Sequence, residues 1–342
     1  MRTLFTDQRD LAGVTHQIFQ NFNTGKSSRL CSRLTLPPVL TAVIAALLLL
    51  TGCKSQQKAV TYPPDQLAPA EKALLWKISG NGLKKPSYLF GTIHLIPKND
   101  LQFSEATTKA LLGSERIAFE IDMKEMMSLR TQFSLLTKAF MKDGVTIKDL
   151  LSAEDYQLVQ TRLEEKGFGK GMFERMKPMF LSMMLGNEDG AGVMPQTETG
   201  HTTAVELELW RIAKRNKIKS AGLESVEYQL SVFDAIPYKD QAKMLVESLR
   251  ATDDSGSSQL DEMIQMYKSQ DIQAMQKMIA SDESMKQFES ALLGNRNRNW
   301  IPVMGRMMRT QSTFFAVGAG HLGGQEGVIA LLRKEGYRVA PL

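Results

Sequence analysis

The stretch that decides the fold lies near the C-terminus and reads Thr313-Phe314-Phe315-Ala316-Val317-Gly318-Ala319-Gly320-His321-Leu322-Gly323-Gly324. Its apolar, β-prone start predicts a strand. The five glycines between Gly318 and Gly327 predict a sharp turn that can approach another group closely. Residues Val328 to Lys334 then predict a helix whose free N–H groups face the turn. His321 is therefore predicted to lie on a strand-to-helix turn, a position suited to chemistry.

The same arrangement occurs earlier in the chain. The run Tyr88-Leu89-Phe90-Gly91-Thr92-Ile93 predicts a strand that ends at His94, with a glycine three positions before the histidine. A strand from Leu74 to Ser79 precedes it, and Asn81-Gly82 between the two is a strong hairpin signal. The pattern strand-Gly-x-x-His is thus repeated, with His94 and His321 as its two histidines.

Two further predicted strands carry acidic residues at their ends. Ile117 to Asp122 contains Glu120 within an apolar run, where a carboxylate is costly unless it is paired or binds a cation. Strand alternation allows two interpretations: Glu120 lies on the wet face of an edge strand, or it points into a site at the end of the sheet. Lys217 to Leu223 predicts a short strand followed by Glu224, which either joins such a site or caps the next helix.

Helices are predicted between these strands. Ser104 is a candidate cap for a helix through Leu112. Residues 124–200 are helical and rich in methionine, which favours adaptable packing but also suits a groove for an apolar substrate. Thr202 or Thr203 is predicted to cap a helix through Asn216, with Glu206 in its first turn. His201 precedes this helix and is either a third ligand or simply exposed.

The last helix before the glycine-rich stretch opens with Asn295-Arg296-Asn297-Arg298-Asn299-Trp300. Its arginines either bind a carboxylate or phosphate with two hydrogen bonds, or form a solvated helix face with one buried arginine. Tyr337 to Ala340 predicts the final strand.

Two site classes are excluded by these patterns. Gly318-Ala319-Gly320-His321-Leu322-Gly323 matches G-x-G-x-x-G, but a dinucleotide site also needs an acid on a second strand about 20 residues later. The strand available is Tyr337 to Ala340, which carries no acid. The sequence therefore predicts no NAD or FAD. The H-E-x-x-H pattern of zincins is also absent.

Two strand-end histidines and a glutamate permit two kinds of chemistry. Histidine and carboxylate are suitable ligands for Zn, Mn or Co, and a metal with an open position can activate water. Alternatively, one histidine acts as a general base that Glu120 orients, without a metal. In either case the amides around Gly320 to Gly324 are candidates to stabilise an oxyanion.

The ordered set of motifs resembles the TraB/GumN family, which is related to the Tiki proteases. The matching motifs are Gly91-Thr92-Ile93-His94, Phe119-Glu120, Val205-Glu206, Gly222-Leu223-Glu224, Arg296-Asn297-x-x-Trp300 and Gly318-Ala319-Gly320-His321. The resemblance covers about Trp76 to Leu342, although the polar loop before His201 does not align. It implies a mixed α/β fold with a central mixed sheet flanked by helices, and a large helical insertion at about 124–300. The Tiki branch implies metal-dependent peptidase activity, whereas erythromycin esterases are a more distant, metal-free precedent.

Together the motifs and the resemblance assign provisional roles. His94, Glu120 and His321 are the catalytic candidates, and the same three with Glu206 are the candidate ligands of a divalent metal. The candidates for substrate binding are Arg296, Glu224, Gly320 and Gly323.

The N-terminus predicts export and lipidation. A mostly apolar run from Leu36 to Leu50 follows three basic residues, and at about 15 residues it suits a signal peptide better than a spanning helix. Leu50-Thr51-Gly52-Cys53 resembles a bacterial lipobox, so Cys53 is the predicted lipid acceptor; the alternative is an uncleaved anchor. The predicted divisions are a signal peptide at 1–52, a tether at 53–72 and the TraB/GumN-like domain at 73–342.

Charge and cysteine content exclude other classes. Residues 1–52 hold five basic and two acidic residues, so the remaining chain has 37 basic and 35 acidic residues and is nearly neutral. Nucleic-acid binding, which needs a basic face, is not expected. Cys31 lies in the predicted signal and Cys53 would carry lipid, so no cysteine remains as a nucleophile.

The leading hypothesis is a cell-envelope lipoprotein, membrane-anchored at the outer membrane or the periplasmic face, with a metal-dependent hydrolase domain acting on peptides or proteins. The alternatives are a protein that sequesters a peptide or haem-like ligand without turnover, and a metal-free esterase.

Overall fold

The computed structural model of the protein describes residues 59–342 except residues 170, 172, 186–200, 255 and 282–286. The predicted signal peptide and Cys53 therefore lie outside the described residues, as does the loop before His201. The described residues all belong to one compact unit, Gln56–Leu342. None of the helices in this described part is both long and apolar enough to cross a bilayer.

Among the described residues, the central sheet has six strands in the spatial order β6-β4-β7-β2-β1-β8. Strands β6, β4, β7 and β2 are parallel, whereas β1 is antiparallel to β2 and β8 is antiparallel to β1. The strands are β1 (Leu75–Gly80), β2 (Ser87–Thr92), β4 (Arg116–Phe119), β6 (Lys219–Gly222), β7 (Thr313–Gly318) and β8 (Tyr337–Pro341). This mixed sheet confirms the predicted fold class.

The glycine-rich stretch of the C-terminus supplies the strand near the centre of the sheet. In β7 the side chains from Phe314 to Val317 are all buried, because β4 and β2 pair with it on its two sides and the core covers both faces. A short 3₁₀ turn, Ala319–His321, follows directly and carries the histidine. The predicted strand, turn and following helix are confirmed.

The predicted hairpin near the start of the domain is also confirmed. Trp76 pairs with Leu89 in antiparallel β1 and β2. The turn contains Asn81 at φ 44° and Gly82 at φ 78°, left-handed values that these two residues tolerate better than others. This hairpin sets β2 beside β7 and so positions the first Gly-x-x-His motif.

Helices cover the sheet and form the insertion. The helices of the described residues are α1 (Glu105–Leu112), α2 (Met123–Met126), α3 (Leu129–Lys138), α4 (Ile147–Leu150), α5 (Ala153–Glu165), α6 (Pro178–Leu185), α7 (Val205–Arg215), α8 (Val226–Asp234), α9 (Tyr238–Asp254), α10 (Gly256–Lys268), α11 (Ile272–Ser281), α12 (Asn295–Thr310) and α13 (Val328–Lys334). Ser104 caps α1 by accepting a hydrogen bond from the Thr107 N–H, as predicted.

The cap predicted for α7 is wrong. Thr202–Thr203 forms strand β5, which pairs with β3 (Ile96–Pro97) in a separate two-stranded sheet. The helix begins after Ala204, whose side chain makes no cap hydrogen bond. The backbone N–H and C=O groups of the two threonines pair with a strand that is distant in sequence, which local capping propensity does not reveal.

The insertion has its own hydrophobic core and also contributes β6 to the central sheet. Buried side chains of α5, α6 and α9, including Val159, Leu181 and Leu245, pack together there. Met141 and Met176 are buried as well, in agreement with the packing interpretation of the methionines. The insertion is therefore mostly helical, and its strand β6 lies at one edge of the sheet.

The described part of the predicted tether lies against the domain. The Val60 N–H donates to the Gly336 carbonyl at 2.8 Å, and Arg333 Nη1 donates to the Gln66 carbonyl at 3.1 Å. The chain is thus held to the domain from about Val60 onward.

Candidate active site

The functional candidates meet at the carboxyl ends of the four parallel strands. Across the sheet, β6 leads to Glu224, β4 to Glu120, β7 to His321 and β2 to His94. Thr92 lies opposite Gly318, so the two Gly-x-x-His motifs leave neighbouring strands one residue out of register. The carboxyl ends of parallel strands are where open α/β sheets bind ligands.

Glu120 lies immediately beyond the end of β4. The strand stops at Phe119, which shortens the predicted strand by three residues, and Glu120 is only 13% exposed. The edge-strand interpretation is wrong, because β4 pairs with β6 on one side and β7 on the other. Glu120 Oε1 accepts the Gly318 N–H at 2.9 Å, which ties it to the start of the C-terminal histidine motif.

Arg296, at the start of α12, joins the two strand-end glutamates. Its Nη2 donates to Glu120 Oε2 at 2.5 Å and to Glu224 Oε1 at 2.7 Å, and its Nε donates to Glu224 Oε1 at 3.0 Å. Trp300, one helical turn later, donates its indole N–H to Glu224 Oε2 at 2.8 Å. Glu224 does not cap α8, since the Ser225 side chain does so. Arg296 is thus the buried arginine of the motif and binds carboxylates of the protein itself in a connected charge network, whereas Arg298 is exposed.

The network keeps Glu120 ionised. Burial by itself would raise the pKa of Glu120, but His321, Arg296 and His94 and the Gly318 N–H outweigh it and lower the pKa to about 2. His321 contributes only when it is protonated, so the permanent positive charge at neutral pH is that of Arg296. Glu120 is therefore a carboxylate at any physiological pH.

His321 is buried and its orientation is set by Asn297. The Asn297 amide N–H donates to the Glu326 carbonyl at 2.8 Å, so its oxygen is the acceptor that faces His321 Nδ1 at 2.6 Å. The proton of His321 is therefore on Nδ1, and Nε2 is an acceptor that lies 3.3 Å from Arg296 Nη1 and 3.7 Å from Glu120 Oε1.

Burial and contact with Trp300 complete the surroundings of His321. The two rings have centroids 4.5 Å apart. Burial is the main cause that lowers the pKa of His321 to about 4; Glu120 opposes it, and Arg296 and His94 add to it. The imidazole is neutral at pH 7 and presents the lone pair of Nε2 towards Glu120 and Arg296.

His94 is the exposed member of the pair. Its side chain is 77% exposed, and its Nδ1 lies 2.8 Å from Glu206 Oε1 at the start of α7. The same oxygen accepts the Thr92 hydroxyl at 2.6 Å. The Glu206 carboxylate raises the pKa of His94. Burial would raise the pKa of Glu206, but the interactions with His94 and Thr92 lower it below its usual value.

In the metal-free interpretation, the carboxylate that orients the general-base histidine is therefore not Glu120. The carboxylate that orients His94 is Glu206, whereas Glu120 contacts Arg296 and the Gly318 N–H. The role of Glu206 as the partner of His94 follows from the position of α7, whose first residue, Val205, donates its N–H to the Ile93 carbonyl just after β2.

The two glycines expected to bind substrate lie against α11. A Cβ at Gly320 would lie 2.5 Å from Ile279 Cδ1, and one at Gly323 would lie 2.8 Å from the Ile272 carbonyl oxygen. Both also border a cavity of about 250 Å³ that reaches Asn297. Close packing against backbone accounts for the glycine at 323, whereas at 320 only the end of the Ile279 side chain would have to move. The amide of this region that reaches Glu120 is that of Gly318.

Three residues of this site have no role predicted from the sequence, and the role of His201 is left open there. Asn297, Thr92 and Gln229 contact His321, Glu206 and Glu120 respectively. Asn297 follows Arg296 in a quoted motif, which is a signal for it, while Gln229 lies inside a helix with no such signal. His201 is exposed just before β5, and its carbonyl accepts the Lys98 N–H at 2.8 Å.

The model of the TraB/PrgY/gumN family matches residues 74–341. The chain belongs to the TraB/PrgY/gumN family. This confirms the resemblance, and the matched range contains every candidate site residue except the lipidation site.

Curated relatives of this TraB/PrgY/gumN protein include the Tiki proteins. Human Metalloprotease TIKI1 is 24% identical over 351 residues, which cover 85% of this chain and 67% of the human protein. Metalloprotease TIKI2 of Danio rerio is 22% identical over 78% of this chain, and this chain spans about 60% of its length. No solved structure matches the chain significantly.

The donor types in this family member fit a divalent transition metal. Glu206 Oε2 is buried and has no hydrogen-bond partner among the described residues, and His321 Nε2 is an acceptor. Glu120 and Glu224 contact the permanent cation Arg296, and Glu206 pairs with His94, so three carboxylates face one permanent cation once a metal displaces the proton of His94. In their present positions, however, no three His, Cys, Asp or Glu side chains of the described residues gather closely enough to hold an ion.

Proposed function

We propose that the protein is a metal-dependent hydrolase of the peptidase type that acts on peptides or proteins. The observation that carries this proposal is the placement of His94, Glu120 and His321 at the ends of three neighbouring parallel strands. Support also comes from the Tiki relatives, which are named metalloproteases. The chain spans only about three fifths of the first of these, so the activity is proposed for this chain on its own residues.

The residues that would hold the metal are His94, His321 and Glu120, and Glu206 would join them only if it released Nδ1 of His94. A bound Zn, Mn or Co ion supplies Lewis-acid activation of water and of a substrate carbonyl. Asn297 keeps the proton of His321 on Nδ1 and leaves the lone pair of Nε2 free to bind the metal. Glu206 orients His94 in the same way, through Nδ1.

Arg296 acts within this site as a positioning residue. It binds both Glu120 and Glu224 and also donates to the Leu292 carbonyl at 3.1 Å. The N–H groups of the Arg296 guanidinium are thus hydrogen-bonded to groups of the protein. Arg296 orients Glu120, and the hydrogen bonds to Glu224 fix the position of Arg296. Recognition of a substrate carboxylate by Arg296 would require the release of Glu120.

Metal removal tests the proposal. The purified protein is expected to contain a divalent metal and to hydrolyse members of a peptide library. Dialysis against a chelator should abolish hydrolysis, and Zn, Mn or Co should restore it. Metal content by mass spectrometry and product formation by chromatography are measured on the same sample. Hydrolysis that is unchanged after the metal has been removed would contradict the proposal.

A metal-free hydrolase is the second candidate, and the His94–Glu206 pair favours it. A histidine held by a carboxylate through Nδ1 presents Nε2 for proton transfer. This candidate predicts that the protein still hydrolyses ester substrates after the chelator has removed any metal. The Glu206→Gln variant should lose this esterase activity. Saturable binding of a peptide or haem without any product would instead support the sequestering role.

We also propose that Cys53 carries lipid and anchors the protein in the cell envelope, at the outer membrane or the periplasmic face. The support is the lipobox-like sequence and the apolar run before it. The Cys53→Ser variant should move from the membrane to the soluble envelope fraction, as followed by fractionation and immunoblotting. Unchanged retention in the membrane would favour an uncleaved anchor instead.

A further inference from the structure

The segment that leads into β1 is bound along the surface of the domain, and we term residues 60–74 the strap. Its first half is held by Arg333, a buried residue of α13. Arg333 Nη1 donates to the Gln66 carbonyl at 3.1 Å and to the Leu67 carbonyl at 3.2 Å. The Arg333 guanidinium also lies over the Tyr62 ring, 5.3 Å from its centroid. The first half of the strap is therefore bound to the folded domain.

The second half of the strap is bound by residues at the start of α11. Gln273 Nε2 donates to the Pro69 carbonyl at 2.6 Å, and the Leu74 N–H donates to Gln270 Oε1 at 3.1 Å. The residues of these two pairs are 204 and 196 positions apart in the sequence. The strap and the start of α11 thus hold each other by tertiary contacts.

The start of α11 also contacts the glycine-rich turn that follows β7 and carries His321. The Gly324 N–H donates to Gln273 Oε1 at 3.3 Å, so this amide, one of the expected oxyanion donors, is engaged within the protein. Gly323 packs so closely that a Cβ there would lie 2.8 Å from the Ile272 carbonyl oxygen. The position of the turn, and with it that of His321, is therefore set in part by the start of α11.

Gln273 is the residue that both sets of contacts share. Its amide N–H donates to the strap at Pro69, and its amide oxygen accepts from the turn at Gly324. Because a carbonyl oxygen only accepts and a backbone N–H only donates, one orientation of the glutamine amide satisfies both partners. Both partners are backbone groups, so an effect of Gln273 on His321 passes through the turn.

We propose that the strap is part of the active-site scaffold and that Gln273 is a positioning residue, which holds the His321 turn to the strap. The proposal rests on the proposed hydrolase function, because the turn matters for catalysis only if His321 does. Loss of the Gln273 contacts would let the turn open locally, so His321 would spend less time in its productive position. Such a change lowers kcat more than it raises KM.

The test is hydrogen exchange of backbone amides, measured by NMR without substrate. The chain used starts at Lys54, which keeps the strap whole, since the compact unit begins at Gln56. The informative amides are those of Leu322 and Gly327, which are hydrogen-bonded within the turn. In Gln273→Met, which keeps a side chain of similar length without an amide, both should exchange faster by about tenfold or more. Amides of β7 should exchange as in the parent.

Activity and two further variants complete the test. On a peptide that the parent hydrolyses, Gln273→Met should lower kcat by about tenfold while KM stays within about twofold. Gln273→Glu still accepts the Gly324 N–H but cannot donate to Pro69, and it should resemble Gln273→Met in both measurements. Gln265→Met is the matched control, because Gln265 is exposed on α10 and its side chain makes no hydrogen bond among the described residues. It should behave like the parent.

Three results would overturn the proposal. The first is exchange and kcat in Gln273→Met that equal those of the parent. The second is a Gln273→Glu variant that behaves like the parent, since the turn would then be held without the strap. The third is a fall of the thermal midpoint by more than about 10 °C with faster exchange in β7 as well, which would show a general structural role. A parent that hydrolyses no peptide would instead overturn the proposed hydrolase function, and the exchange measurement would still decide whether the strap holds the turn.

Discussion

The His321→Ala variant is expected to lose on the order of 10²- to 10⁴-fold in kcat/KM for peptide hydrolysis, the range associated with removal of a group that transfers protons or holds a catalytic metal. His321 Nε2 is a buried acceptor whose tautomer Asn297 sets, and no other described histidine is buried beside Glu120. The His321→Ala change removes the nitrogen that would bind the metal or accept a proton at the buried end of the site. The measurement is steady-state hydrolysis of an identified peptide, together with metal content.

His94→Ala separates chemistry from folding. His94 is mostly exposed but pairs with the nearly buried Glu206, so its truncation should lower the thermal midpoint less than Arg296→Met does, while activity falls as far as in His321→Ala. His201→Ala is the matched control, because His201 is also exposed and its carbonyl accepts the Lys98 N–H beside the two-stranded sheet of β3 and β5. Full activity in both His94→Ala and His321→Ala, or equal losses in all three variants, would contradict the proposed site.

Arg296→Met should destabilise the fold by about 3–5 kcal/mol, the usual result of removing one partner from a buried ion pair. The Arg296 side chain is 8% exposed and its two carboxylate partners are nearly as buried, so the change leaves two buried negative charges without their cation. The thermal midpoint should fall by roughly 10 °C for a domain of this size. Urea denaturation of the chain from Lys54 measures the free energy of unfolding directly.

Arg298→Met is the control for this effect. Arg298 lies two residues away on the same helix and pairs with Glu326, but both side chains are largely exposed. Its substitution should cost about 1 kcal/mol or less, as is usual for surface ion pairs. Adding Glu224→Gln to Arg296→Met should recover part of the lost stability, because the two changes act on one network. Equal stability of the Arg296 and Arg298 variants would argue against a buried network.

Much of the fold was predictable because its signals are local. The apolar runs at Tyr88 and Thr313 form strands, Asn81-Gly82 forms the hairpin turn, and Ser104 caps its helix. The errors came from contacts distant in sequence. Thr202 and Thr203 pair with β3, and Glu120 lies beyond an internal strand and not on the face of an edge strand.

The candidate residues for the chemistry could be selected from the sequence alone. A histidine three positions after a glycine at a strand end, and a carboxylate inside an apolar run, are visible in the residue types alone, because each is costly or unusual where it stands. The ordered set of motifs, which includes the repeated Gly-x-x-His pattern, also indicated the family, and the match of the family model over residues 74–341 confirms it.

The contacts among these residues follow from the tertiary structure. The strand order β6-β4-β7-β2 brings Glu224, Glu120, His321 and His94 to one edge, although they are distant in sequence. It pairs Glu206 with His94, Asn297 with His321 and Arg296 with Glu120. The physical reason is that strand order and register depend on packing among segments up to about two hundred residues apart, which local propensity does not encode.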